Sequence, residues 1–89
     1  MMFALRNGVS VAETDDGIAL LDEDSGEYFT LNPTGALVLR SLLGGATPAQ
    51  AAEQITTEYA VDGDSARFDV QELVSALQTA NLLAPETTT

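Results

Sequence analysis

Apolar and polar positions alternate along the first third of the chain, and beyond Asn32 the apolar residues recur at steps of three and four. Val9-Ser10-Val11-Ala12-Glu13-Thr14 alternates in the way that marks a half-buried strand. Asp15-Asp16-Gly17 follows as a tight turn into Ile18-Ala19-Leu20-Leu21, so the two runs predict a hairpin. Asp22-Glu23-Asp24-Ser25-Gly26 makes a longer turn into Glu27-Tyr28-Phe29-Thr30-Leu31, a short run of strand-favouring residues. The sum is a three-stranded antiparallel meander. Its pleat puts Glu27, Phe29 and Leu31 on one face and Tyr28 and Thr30 on the other, and leaves open which face is buried.

The remainder reads as helical. Asn32 is an N-cap followed by Pro33 at the first helical position, and Ala36 to Leu43 is broadly apolar until Gly44-Gly45 stops it. This helix is expected to be the most buried. Thr47-Pro48-Ala49-Gln50 is a capping box, and Ala51, Ala52, Ile55 and Tyr59 follow at helical spacing, so a second helix runs to about Tyr59. A third is expected from Ser65 or Ala66, with Ser65 as its N-cap and Val70, Leu73, Val74 and Leu77 as its apolar stripe. Leu82-Leu83 is expected to close the core and Pro85 to Thr89 to fray. With no internal repeat or linker, residues 1–89 read as one α+β domain, a winged helix-turn-helix-like arrangement of a three-stranded meander followed by three helices.

Composition narrows the function. A chain of 89 residues buries only roughly 60 to 65% of its unfolded surface, which leaves little room for a deep catalytic cavity. Fourteen acidic against three basic residues give a net charge of -11, a field that repels phosphate backbones and anionic lipid. A recognition helix for DNA needs Lys or Arg, and the third helix offers Arg67 against Asp69 and Glu72. Neither nucleic acid nor membrane is an expected partner. The chain has no Cys and no His, which removes thiol chemistry, the usual neutral-pH base and the commonest zinc ligands. No catalytic residue, metal site or cofactor is expected. The apolar start Met1 to Leu5 is too short for a signal peptide's hydrophobic region, and no apolar run is long enough to span a bilayer, so a cytoplasmic protein is expected.

Three local motifs carry competing chemistry, and each has a simpler reading. Gly63-Asp64-Ser65 resembles part of the Asp-Ser-Leu attachment site of acyl carrier proteins, but Ala66 stands where Leu is expected and three strands precede the helices. An N-cap accounts for Ser65 better. Asp22-x-Asp24 begins like a calcium loop, yet Glu27 occupies the position of the turn glycine and no closing Glu follows. It is a solvated turn. Asp15-Asp16 are neighbours in a turn, so their carboxylates point apart with no apolar cleft to perturb them.

Two stretches carry a family resemblance. Gly26-Glu27-Tyr28-Phe29-Thr30-Leu31-Asn32-Pro33-Thr34-Gly35, and Asp69-Val70-x-x-Leu73-Val74-x-x-Leu77 finished by Asn81-Leu82-Leu83, are similar to the pyrroloquinoline-quinone biosynthesis D family. That family includes the RiPP recognition elements, the leader-binding domains of ribosomal peptide pathways, and the likeness is strongest to the stand-alone leader-binding proteins of lasso-peptide biosynthesis. It spans about Val9 to Leu83. Asn81 stands where many relatives carry Gly, and a left-handed helix stop accommodates either.

The resemblance implies a module that binds the leader of a precursor peptide and presents it to a cysteine protease and an ATP-dependent macrolactam synthetase. The leader would lie along the third strand, Glu27, Tyr28, Phe29, Thr30 and Leu31, and beside the third helix at Asp69, Val70, Leu73, Val74 and Leu77. The physics permits this, because the outer strand of a meander offers unpaired backbone groups to an extended peptide. Each residue also has a plainer role. Phe29 and Leu31 fit a core as well, Leu73 and Leu77 fit a core better than a groove, Tyr28 and Thr30 fit a solvent-facing side, and Glu27 and Asp69 fit an edge charge and a helix-start charge. Two other readings stay open: a quinone-cofactor peptide chaperone serving a radical enzyme, and a structural protein-interaction domain.

Overall fold

A computed structural model describes residues 3–84; Pro85 to Thr89, expected to fray, lie outside the described residues. The order is β1 (Val9–Thr14), β2 (Gly17–Asp22), β3 (Glu27–Leu31), α1 (Pro33–Leu43), α2 (Pro48–Tyr59) and α3 (Gly63–Thr79). The strands form one antiparallel sheet in the order β1-β2-β3, so β2 is central and β3 is an edge. Gly17 begins β2 with φ of 150°, and a Cβ there would lie 2.0 Å from the Leu31 carbonyl oxygen. Only glycine allows the β1–β2 turn to pass this close to the end of β3.

Each helix start is chosen by a side chain. The Asn32 side chain accepts from Gly35 N–H at 2.8 Å with Pro33 in the first turn. Thr47 and Gln50 close both bonds of the expected capping box, at 2.9 and 3.1 Å. The third start differs from expectation: α3 begins at Gly63 with Asp62 as its N-cap, and Ser65 lies inside the first turn, where its N–H donates to Asp62 at 2.8 Å. A carboxylate facing those free N–H groups also gains from the helix dipole, which favours Asp62 over a later hydroxyl. Two helix ends share one device. Gly45 (φ 104°) and Asn81 (φ 59°) are left-handed, and the residues after them donate back to Ser41 and Leu77, as in a Schellman stop.

Two apolar clusters hold the elements together. Ile18 and Leu20 of β2 pack with Ala36 and Leu39 of α1, Leu77 of α3 and Leu82, and Phe29 and Leu31 lean on this group. The buried face of the sheet is therefore the one that carries Phe29 and Leu31. Val38 and Leu42 of α1, Ala51, Ala52 and Ile55 of α2, and Ala66 and Val70 of α3 form the second cluster. Leu82 is fully buried, as expected for the close of the core, and hydrophobic contact after a Schellman stop is the usual reason. Residues before β1 are tied to this end: Arg6 N–H donates to the Leu82 carbonyl at 2.9 Å and Ala84 N–H to the Ala4 carbonyl at 2.8 Å.

Candidate functional site

α3 packs on α2 and on α1, whereas none of its Cα atoms comes within 8 Å of a Cα atom of β3. The open edge of the sheet therefore faces a helix across a groove. One half of it, about 400 Å³, is lined by Thr30, Leu31 and Asn32 from the end of β3, by Thr34 and Val38 of α1, and by Phe68, Asp69, Glu72 and Leu73 of α3. The other half, about 640 Å³, lies between Glu27 and Phe29 of β3 and Glu72, Ser75, Ala76, Thr79 and Ala80. Glu72 belongs to both halves, so it stands at the waist.

The turn at the head of the groove is set by local chemistry. Leu31 ends β3, Asn32 caps α1, and a Cβ on Gly35 would lie 3.2 Å from the Asn32 side-chain oxygen. Small size at Gly35 keeps the cap in place and the chain close, which explains the Leu-Asn-x-Thr-Gly element in terms of geometry.

Charge divides the molecule unevenly. All three cationic side chains are arginines, and each is engaged: Arg6 with Asp22 and Asp24, Arg40 with Glu13, and Arg67 with Asp64. The Arg40 hydrogen bond holds the Glu13 carboxyl below its ordinary value. Glu27, Asp69 and Glu72 line the groove, and no arginine does. An apolar floor of Phe29, Leu31 and Leu73 under an acidic rim suits an extended segment with apolar and basic side chains.

The structure sorts the residues expected for the site. Glu27, Phe29, Leu31, Asp69 and Leu73 line the groove, and Thr30 borders it at the end of β3 although its place in the pleat is on the face of Tyr28. Tyr28 belongs to the opposite face of the sheet, level with Leu21 and 70% exposed. Val70 and Leu77 are only 2% and 3% exposed and sit in the core, which corrects their placement on the groove wall. Val74 is half-buried and faces the α2 side with Pro48, Ala49 and Gln71. The physical reason is helical phase: the apolar stripe of α3 is the face that packs, and the groove face lies beside it at residues 68, 69, 72, 75, 76 and 79. Phe68, Glu72, Ser75, Ala76 and Thr79 line the groove and are not among the residues expected from the sequence. An unpaired aromatic outside the stripe, Phe68, was the signal that could have found this face.

An α+β chain of winged helix-turn-helix type, with an open sheet edge facing a helix across an acidic groove, is what the fold and site define. The chain belongs to the PqqD family, described as Coenzyme PQQ synthesis protein D, which matches residues 17–83. Among solved structures it is similar to a lasso peptide synthetase B1 complexed with the leader peptide, with 44% identity, a TM-score of 0.88, and coverage of 96% of this chain and 100% of that one. It is also similar to TbiB1 in complex with the TbiA(beta) leader peptide, with 28% identity, a TM-score of 0.81, and coverage of 99% of this chain and 100% of that one. No curated protein sequence matches it significantly.

Proposed function

We propose that this chain binds the leader segment of a ribosomally synthesised precursor peptide in a lasso-peptide pathway. The leader adds as a fourth strand along β3 and sends side chains into the groove between β3 and α3. The carrying observation is the open β3 edge beside the groove that separates it from α3, where an extended peptide can add as one more strand. Supporting it, both similar structures are named as complexes with leader peptides, one of them a lasso peptide synthetase B1. Residues 1–89 act as one recognition domain that contributes no chemistry: without His or Cys it lacks the common bases and nucleophiles, and the groove is open and shallow in side-chain function. In the cytoplasm the bound leader is handed to a cysteine protease and to an ATP-dependent macrolactam synthetase. The family description favours one further reading, a peptide chaperone in quinone-cofactor synthesis.

Calorimetry with the leader peptides of the two similar complexes, followed by mass analysis of the mixture, tests the reading. Heat of binding with unchanged peptide mass is expected. Cleavage or modification by the protein alone would defeat the non-catalytic role, and no heat with either leader would defeat the recognition role.

A further inference from the structure

An edge strand turns half of its backbone groups to its neighbour and half to open space, and the register decides which half. The two-residue turn Asp15-Asp16 makes Thr14 and Gly17 facing partners. At the far end of the same ladder, Glu23 N–H donates to the Gly8 carbonyl at 2.8 Å. Gly17, Ala19 and Leu21 therefore direct their backbone groups to β1, since the direction alternates along a strand. Ile18, Leu20 and Asp22 direct theirs towards β3, and the Asp22 carbonyl accordingly accepts from Gly26 N–H at 2.7 Å. Across from these three lie Leu31, Phe29 and Glu27. The groups left open on β3 are the N–H and C=O of Tyr28 and Thr30.

We propose that the backbones of Tyr28 and Thr30 are the peptide-holding groups, and that the peptide residue level with Phe29, between them, is the one whose side chain enters the groove. This rests on the leader-binding reading and adds the parity of docking to it. Residues level with one another across a ladder share a face. The residue opposite Phe29 thus points at Glu72, Ser75, Ala76 and Thr79, where the helix presents small side chains and leaves room for a large one. Its neighbours, opposite Tyr28 and Thr30, point to the other face beside the Tyr28 ring. Parity depends only on how β3 pairs with β2, so it holds for either direction of the peptide. The groove therefore reads every second residue.

Residue-resolved hydrogen exchange on the labelled protein, with each of the two leader peptides named above, tests the parity. The Tyr28 and Thr30 amides should slow at least about tenfold on binding, while those of Phe29 and Leu31, already bonded to β2, change little. A second test uses proline, which an edge strand accepts where its N–H faces outward. Tyr28→Pro should keep the far-ultraviolet circular dichroism of the parent and bind at least about tenfold more weakly than Tyr28→Ala, which removes the ring and keeps the N–H. Calorimetric binding accompanied by new protection at Phe29 and Leu31 or confined to β1, or equal affinity of a folded Tyr28→Pro and Tyr28→Ala, would overturn the parity alone. No binding of either leader by the parent protein would overturn the leader-binding reading, and the parity with it.

Discussion

Arg6 and Asp22 form an ion pair at 2.9 Å that fastens the segment before β1 to the end of β2. The same guanidinium donates to the Asn81 carbonyl at 2.8 Å and pairs with Asp24 at 3.0 Å. One side chain thereby joins the chain start, the β2–β3 turn and the stop of α3. Burial pushes the Asp22 carboxyl up, but hydrogen bonds from Arg6 and from the Asp24 N–H outweigh it, and Asp22 lies below its ordinary value.

A depressed carboxyl contributes stability that is present above the unfolded value, about pH 4, and is lost as pH falls through the lower native value. Arg6→Gln should therefore lower the melting temperature at neutral pH, and its deficit relative to the parent should narrow below about pH 4. Thermal melts across that range check this. A deficit independent of pH would show that the carbonyl contact, and not the ion pair, carries the effect.

Phe68 is 64% exposed on the groove wall, so its removal should leave the fold intact. Phe68→Ala is expected to weaken leader binding about five- to tenfold, equivalent to about 1 to 1.4 kcal/mol, as for a partly covered aromatic at an interface. Unchanged affinity by calorimetry would remove Phe68 from the site.

Val70 should respond in the opposite way. At 2% exposure among Val38, Leu42 and Ile55, a carboxylate has no partner, and Val70→Glu adds a cost of several kcal/mol to a fold whose total is about 5 to 15 kcal/mol. The expected result is loss of the cooperative thermal transition. A folded Val70→Glu protein would show that α3 can rotate its stripe away from the core.

Gly17 lies against the end of β3 from outside the groove. Its added Cβ would strike the Leu31 carbonyl, so Gly17→Ala must displace the end of β3 or unfold it. Leader affinity and melting temperature should fall together, and a variant that melts and binds like the parent would contradict the close approach.

Much of the fold was legible because local signals agreed: the period-two runs, the capping box at Thr47 and the glycine stop at Gly44-Gly45 all fall where the structure has them. The start of α3 was misread because Asp62, Asp64 and Ser65 are all competent caps, and only the observed bond to Ser65 N–H distinguishes them. The groove wall was legible on β3, where alternation leaves two faces to choose between, and less so on α3. There the apolar stripe announces what packs. What lies open beside it, Glu72 and the small residues Ser75 and Ala76, looks like any solvated helix face until β3 is set opposite.

A strand left open for a guest is equally open to the same strand of another molecule, which is how sheet proteins come to associate edge to edge. Among the described residues no strand pairs with the outer edge of β3, and Glu27 is its only charged residue. Protection falls instead to the whole molecule: a net charge of -11 on so small a body keeps copies apart before their edges can meet. High salt screens that repulsion without touching the strand, so the unliganded protein should lose solubility as salt is raised, and occupancy of the edge should restore it.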